Sequence, residues 1–357
     1  MNDGETALWW KGTGAAVDFF NPAARDWWHA QQKLVLDAGV AGFKLDFGEE
    51  YLGEGDVDTK AGAKSLQEYS EAYYRDFLEN GVRTVAGGSQ EFIIMPRPFD
   101  ESYGFPPRFY ARPGDAPVAW VGDQTRDWAG LQTALDHIFR SAHAGYAVLG
   151  SDIGGYLDAL DGTQIPFDID VFHAWTAASA LTPLFQLHGR ANLAPWALPV
   201  DDPALVDDTA QYRYWATLHH ALARFFFSLT REAQLHTPAR AKPNEGAQPV
   251  LHVVGDDADA WRDDYRFVVG DALLVAPFVG PGRTRTVALP ARDDGAGYVD
   301  WWDLGGDAIA GGTSVSCTAP SARESPLDVV EGAIVPLVVD SDATGVAPES
   351  DPRAFAD

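Results

Sequence analysis

Two aspartates each follow a short apolar run and are followed by polar residues. Asp46 ends GFKLD, residues 42–46, and Asp123 ends VAWVGD, residues 118–123. A pair of carboxylates held ~5–5.5 Å apart can hydrolyse a glycosidic bond with retention, because one attacks the anomeric carbon while the other protonates the leaving oxygen. Trp120 adds a flat apolar wall for a sugar ring, and Gly122 leaves space beside Asp123. The competing interpretation is that Asp46 caps a turn and Asp123 is a loop acid, since aspartate is common at strand ends.

The surrounding sequence alternates between strand-like and helical segments. Apolar strands are predicted at residues 15–19, 42–46, 91–97, 118–123, 146–152 and 184–188. Helical patterns occupy residues 23–39, 65–81, 128–145, 168–181 and 212–234, and Asn21 with Pro22 forms a helix start signal. Strands separated by helices predict parallel βα units.

Each predicted strand acquires a polar residue at its carboxyl end, which is where a (β/α)8 barrel keeps its active site. These residues are Asp18, Asp46, Arg97, Asp123, Asp152 and His188. About six strands are visible where closure needs eight, so we expect an N-terminally truncated TIM-type barrel of the α/β class. From about residue 266 the chain consists of short β-rich runs, which predict a C-terminal β-sandwich. The expected domains are residues 1–250 and 251–345, followed by a tail at 346–357.

Composition excludes several classes of partner. The chain has 52 acidic and 26 basic side chains, for a net charge of −26, which repels nucleic acid and anionic lipid. No run reaches ~18 apolar residues, so no membrane span is predicted. The start, MNDGETALWW, is not a signal peptide, which leaves the cytoplasm as the default compartment. Cys317 is the single cysteine; it predicts neither a disulfide nor a thiolate metal site.

Several motifs in order resemble glycoside hydrolase family 31, the retaining α-glycosidases. They are GFKLDFGEEYL, WVGDQTRDW, GSDIGGY and LTPLFQLHG in the barrel part, and GDALLVAPFV, YVDWWDLGG and SPLDVVEGAIVPL after it. The resemblance implies that Asp46 is the nucleophile, Asp123 the general acid/base and Glu49 a supporting acid. It also implies substrate contacts from further residues, namely Lys44, Arg97, Trp120, Asp152, Tyr156 and His188.

Some of these assignments have alternatives. Arg97 lies 26 residues before Asp123, which leaves Arg108 and Arg112 as rivals. Trp120 could pack in the barrel, His188 could be structural and Asp152 could cap a turn. The acids of FDID, residues 167–170, lack calcium-loop spacing, so no metal is expected. No dinucleotide fingerprint is present, and the two-carboxylate mechanism needs no cofactor.

The substrate is expected to be a terminal α-glycoside, such as an α-glucoside, α-xyloside, α-galactoside or α-sulfoquinovoside. Gln186 stands where many family members have arginine, which weakens the expectation of a glucose-specific pocket. Two alternatives remain open from the sequence: a truncated fragment without activity of its own, because an unclosed barrel exposes strand edges, or a non-catalytic carbohydrate-binding relative. The oligomeric state is not predicted.

Overall fold

The protein is described by a computed structural model that covers residues 6–9, 12–46, 52, 55–85, 92–101, 106–159, 161–188, 194–195, 208–236, 243, 250–254 and 261–338. It contains two compact units. The first consists of Met1–Trp120 with Pro238–Glu245, and the second of Val121–Thr237 with Gly246–Asp357. The expected boundary at residue 250 stays a prediction.

The first unit alternates short strands with two long helices. Its elements are β1 Ala7–Trp9, β2 Gly12–Gly14, α1 Pro22–Leu36, β3 Gly42–Lys44, β4 Asp56–Thr59, β5 Gly62–Ser65, α2 Leu66–Val85, β6 Ile93–Met95, β7 Phe99–Asp100, β8 Arg108–Phe109 and β9 Ala119–Trp120. The Asn21 side chain accepts a hydrogen bond from the Ala23 N–H at 3.1 Å and caps α1. This confirms the helix start that the sequence predicts.

Strands β3 and β6 form the parallel βα unit that the sequence predicts. They pair in parallel with Phe43 opposite Ile94. Gly42 is required at this pairing, because a Cβ there would lie 2.5 Å from the Ile93 carbonyl oxygen. Phe43 packs edge-on against Phe77 of α2, with ring centroids 5.5 Å apart. Helix α2 therefore covers the sheet through aromatic contacts, and the two strands end at the same edge.

The predicted strand at residues 15–19 is wrong, because these residues have no strand geometry. Asp18 is buried, and its carboxylate accepts hydrogen bonds from the N–H groups of Phe20, at 2.9 Å, and Lys60, at 2.7 Å. The backbone thus turns around the Asp18 side chain instead of extending, which is a common use of aspartate in loops.

The second unit continues the helices and ends in β structure. Its elements are α3 Trp128–His143, β10 Leu149–Gly150, α4 Ile169–Ala180, α5 Asp208–Ala221, α6 Ala223–His236, β11 Leu251–Val253, β12 Phe267–Val269, β13 Leu273–Val275, β14 Thr284–Ala288, β15 Tyr298–Asp300, β16 Ser314–Thr318 and β17 Leu327–Val330. Within residues 184–188 the strand prediction reduces to a single parallel bridge between Gln186 and Asp152. The strand is therefore present as one pairing contact rather than a full ladder.

The single helix predicted over residues 212–234 is two helices, α5 and α6, which meet at Leu222. The Val338 N–H donates to the Ala221 carbonyl oxygen at 2.8 Å. An uninterrupted helix would use that carbonyl for the N–H of Phe225. The break therefore depends on a chain segment more than a hundred positions away, which helical periodicity cannot predict.

The predicted β-sandwich is present. Five antiparallel strands follow the order β11-β12-β13-β17-β15, and β14 pairs with β16 in a second sheet. Leu274, Tyr298 and Val330 of the first sheet pack with Val287 of the second and with Leu289 just beyond it. Apolar side chains from both sheets therefore form the core, as in other sandwiches.

Asp328 places a carboxyl group on the inner face of this sandwich. It is only 5% exposed, and it lies directly opposite Asp300 of the neighbouring strand. Burial, and then the like charge of Asp300, raise the pKa of Asp328 to about 7. The nearby Cys317 thiol has its pKa raised to about 11, first by burial and then by these two carboxylates. The sandwich thus favours the neutral carboxylic acid at position 328.

We expect the free energy of unfolding to carry a pH dependence that Asp328→Asn removes. Below about pH 4 the acid is protonated in both the folded and the unfolded chain. Between about pH 4 and 7 only the unfolded chain ionises, so stability falls as the pH rises and levels off above the folded pKa. At pH 8 Asp328→Asn should therefore be more stable than the native chain by on the order of 2–4 kcal/mol.

Urea unfolding at several pH values, with both chains compared at each pH, measures this difference. Asp307→Asn is the matched control, because Asp307 is an exposed acid of the same domain. A native-minus-variant difference that does not change between pH 4 and 8 would contradict the prediction.

Candidate active site

Asp46 lies one residue beyond the buried Leu45 at the end of β3. The Leu45 N–H donates to the Met95 carbonyl oxygen at 3.0 Å, which extends the pairing with β6 past the assigned strand. The Tyr73 hydroxyl of α2 donates to the Asp46 carbonyl oxygen at 3.2 Å. The Asp46 carboxylate itself is 66% exposed. The backbone of Asp46 is therefore anchored while its carboxylate faces solvent.

Arg97 lies beside Asp46, because β3 and β6 are parallel and end together. Its Nη2 lies 2.7 Å from Oδ1 of Asp46, and its side chain is 1% exposed. A second ion pair joins the same guanidinium to the buried Asp100. An arginine keeps its charge at any working pH. The strand end therefore carries a fixed positive charge against the exposed carboxylate.

The rival arginines make other contacts in the first unit. Arg108 donates to the Gln67 side chain at 3.1 Å, and Arg112 pairs with Glu71 at 2.6 Å. Both acceptors belong to α2. These contacts favour Arg97 as the arginine that matters at Asp46.

Trp120 packs beneath the same strand ends. It is 2% exposed, and its Nε1–H donates to the Leu45 carbonyl oxygen at 3.4 Å. The Lys44 Nζ lies 3.6 Å from the ring centroid and the Arg97 Cζ lies 4.4 Å from it. Such contacts are cation–π interactions. The structure thus brings Lys44, Asp46, Arg97 and Trp120 together, and the Trp120 ring contacts both cationic side chains. A sugar-stacking role for Trp120 stays a prediction.

The second unit contains four other predicted residues: Asp123, which directly follows Gly122, and Asp152, Tyr156 and His188. Val121 is buried, and its N–H donates to the Gly150 carbonyl oxygen at 3.1 Å. Gly122 has a φ of +88°, a conformation that side chains rarely adopt. Asp123 is half-buried. The positive φ of Gly122 therefore sets the course of the backbone as it enters Asp123.

The side chains of Asp152 and Gln186 form a partly buried polar pair. Asp152 is fully buried, and the Gln186 Nε2 donates to its Oδ1 at 2.7 Å. The Ile153 N–H also donates to the Gln186 carbonyl oxygen at 3.1 Å. From the sequence, Gln186 stands out only as a departure from an arginine, and no local pattern predicts its contact with Asp152.

Tyr156 and His188 stack on each other. Their ring centroids are 5.0 Å apart and their planes differ by 13°. The Tyr156 N–H donates to the Gln124 carbonyl oxygen at 2.8 Å. Gly155, with a φ of +78°, precedes it, and a Cβ there would lie 2.6 Å from the Arg126 Cα. His188 is exposed, so the stacked pair reaches the protein surface.

The last predictions concern Glu49, a metal site and a membrane span. Glu49 lies outside the described residues. Within the described ranges no group of three or more histidine, cysteine, aspartate or glutamate side chains is arranged to hold a metal ion. Among the helices of that same part of the chain, none is both long and apolar enough to cross a membrane.

Parallel βα units with polar side chains at their strand ends are typical of α/β-barrel enzymes. Comparison with family models refines this class. Residues 1–228 match the glycosyl hydrolases family 31 TIM-barrel domain, and residues 245–335 match the glycosyl hydrolase family 31 C-terminal domain. The chain belongs to glycosyl hydrolases family 31.

Several relatives with curated descriptions are glycosidases. The chain is 26% identical over 333 residues to the 1,3-alpha-isomaltosidase of Kribbella flavida, covering 90% of this chain and 41% of that protein. It is 27% identical over 327 residues to the sulfoquinovosidase of Agrobacterium fabrum, with 89% and 45% covered. For the alpha-glucosidase of Saccharolobus solfataricus the identity is 25%, with 92% and 47% covered. The chain therefore spans less than half the length of these relatives.

Solved structures share the fold at lower identity. The cycloalternan-forming enzyme from Listeria monocytogenes, in complex with pentasaccharide substrate, matches with a TM-score of 0.68 and 21% identity, over 93% of this chain and 29% of that one. The sulfoquinovosidase from E. rectale, in complex with an aza-sugar inhibitor, matches with a TM-score of 0.67 and 22% identity, over 93% and 46%.

Proposed function

We propose that the chain carries the catalytic machinery of a retaining α-glycoside hydrolase. The observation that carries the proposal is the Arg97–Asp46 ion pair, at 2.7 Å, at the end of a parallel strand inside the region that matches the family barrel. An exposed carboxylate at a strand end, with a permanent cation beside it, is available to a substrate, as a nucleophile must be.

In the proposed mechanism, Asp46 attacks the anomeric carbon while Asp123 donates a proton to the departing oxygen. A β-linked glycosyl ester on Asp46 results. Asp123 then removes a proton from water, which attacks the anomeric carbon, breaks its bond to the Asp46 carboxylate and releases the sugar with its α configuration restored.

The proposed substrates are terminal α-linked sugars of the kinds that the relatives' names indicate, including α-glucosides, α-xylosides and sulfoquinovosides. Lys44, Asp152, Tyr156 and His188 are proposed to contact the sugar. Lysine and histidine donate to hydroxyl or sulfonate oxygens, and a buried carboxylate such as Asp152 accepts from hydroxyls.

Release of 4-nitrophenol from α-glucoside, α-xyloside, α-galactoside and α-sulfoquinovoside substrates tests the proposal. We expect turnover of at least one substrate by the native chain, with the α anomer appearing first by NMR. The Asp46→Ala chain, purified in the same way, controls for contaminating glycosidases. A folded chain that is silent on every substrate, or a product that appears first as the β anomer, would contradict the proposal.

A further inference from the structure

Asp100 is a buried carboxylate on the opposite side of the Arg97 guanidinium from Asp46. Its exposure is 0%, and it pairs with Nη1 of Arg97, while Nη2 lies 2.7 Å from Asp46. One guanidinium therefore joins an interior acid to an acid at the surface. Its planar fork of donors suits this bridging arrangement.

The two ion pairs differ in strength, because they differ in exposure. The Asp46 carboxylate is 66% exposed, so water and salt screen its attraction to Arg97. The Asp100 carboxylate is fully buried, where screening is weak and breaking the pair leaves an uncompensated charge. The position of the guanidinium is therefore set mainly from the Asp100 side.

The backbone around Asp100 is held by a short hairpin. Strands β7 and β8 pair with Asp100 opposite Arg108, and the Tyr110 N–H donates to the Pro98 carbonyl oxygen at 3.0 Å. The Trp120 ring packs against the guanidinium, with its centroid 4.4 Å from the Arg97 Cζ. A fixed carboxylate and a ring face together restrict rotation of the Arg97 head group.

We propose that Asp100 is a positioning residue, which orients Arg97 and, through Arg97, the Asp46 carboxylate for attack. The inference rests on the proposed function of Asp46. Asp100 touches neither the reacting atoms nor the substrate in this scheme. Its contribution is to hold the guanidinium so that the exposed carboxylate keeps one orientation, and a misplacement of about 1 Å can cost on the order of 100-fold in rate.

The kinetic test compares Asp100→Asn and Asp100→Glu with the native chain on a substrate that it hydrolyses. We expect Asp100→Asn to lower kcat about 10- to 100-fold with KM nearly unchanged. Asp100→Glu keeps the charge and should recover part of that loss. Asp115→Asn is the matched control, because Asp115 is also buried and pairs with Arg75 at 3.0 Å in the same unit. An Asp100→Asn chain that loses thermal stability but keeps kcat within twofold would show a merely structural role and overturn the proposal.

NMR of the Arg97 guanidinium gives a second readout that needs no turnover. In the native chain we expect separate Nη resonances for Arg97, assigned with an Arg97→Lys variant, because two ion pairs hinder rotation. These resonances should merge in Asp100→Asn. In Asp100→Glu they should average only partly, and this variant provides the comparison if Asp100→Asn does not fold. Unchanged resonances would overturn the proposal. The native chain could show no turnover but still show separate Arg97 resonances that merge in the Asp100 variants. That result would refute the proposed function but support the positioning of Arg97 by Asp100.

Discussion

Replacing Asp46 with alanine is expected to lower turnover of every accepted substrate by a factor of roughly 10⁴ to 10⁶, which is the scale seen when a nucleophile is removed. The reason is specific to a double displacement: without the carboxylate no glycosyl ester can form, so the two-step route is lost. The loss should fall on kcat, because the exposed Asp46 carboxylate contributes little to holding the ground-state sugar.

Asp123→Ala should behave differently from Asp46→Ala. Loss of a general acid costs about 10²- to 10⁴-fold for leaving groups that need a proton. It should cost much less for an activated phenol, whose oxygen departs without one. With such a phenol, the ester on Asp46 should accumulate and be visible as a mass increase of one glycosyl unit, and added azide should displace Asp46 with inversion and release an α-glycosyl azide.

Asp58→Asn is the control for both variants, because Asp58 is an exposed aspartate of β4 in the first unit. It should retain native kinetics. Equal losses in Asp46→Ala and Asp123→Ala across all leaving groups, with no trapped ester, would contradict the assigned roles. Both variants should retain native unfolding midpoints within error, since neither carboxylate is fully buried.

Replacing Asp136 with alanine is expected to destabilise the second unit by about 2–4 kcal/mol, because it removes a buried carboxylate that accepts several hydrogen bonds, although its arginine partners are partly exposed. Asp136, on α3, is 3% exposed and accepts hydrogen bonds from Trp261 Nε1 at 2.8 Å and from Arg262 Nε at 2.9 Å. Arg140 donates to it as well, at 2.8 Å. The substitution would leave two guanidinium groups without this partner.

The pKa of Asp136 indicates the net balance of these contacts. Burial acts to raise it, but the hydrogen bonds from Arg262, Arg140 and Trp261 outweigh burial, so the pKa is lowered. The stabilisation is therefore present above the unfolded pKa of about 4 and is lost as the pH falls through the folded pKa. Asp136→Ala should thus differ most from the native chain near neutral pH and least in acid.

Denaturant unfolding of Asp136→Ala at pH 7 measures this effect. The control is Asp170→Asn, which removes an exposed pairing with Arg283 at 3.3 Å and should cost less than about 1 kcal/mol. A cost of less than about 1 kcal/mol for Asp136→Ala would show that the buried network contributes little net stability.

The sequence by itself determined the class of fold, and it drew attention to the segments that end at Asp46 and Asp123. The alternation of apolar runs with helical patterns predicts parallel βα units, and β3 with β6 confirms one directly. The sequence also predicted the start of α1 at Asn21 and Pro22, and the change from helical patterns to short β-rich runs before the sandwich. These features depend on residues within a few positions of each other, so periodicity and capping rules capture them. The catalytic roles of Asp46 and Asp123 stay predictions.

Tertiary structure decided the contacts between segments that are distant in sequence. The helix break at Leu222 depends on Val338, and the hydrogen bond from Gln186 to Asp152 joins residues 34 positions apart. Asp100 is only three residues from Arg97, yet the ion pair between them was hidden, because in extended chain that spacing points the two side chains to opposite faces. In the structure both side chains are buried and paired with each other. A local sequence pattern encodes which side of a helix or strand is apolar. The partner of a buried charge depends instead on which segments the tertiary fold brings into contact.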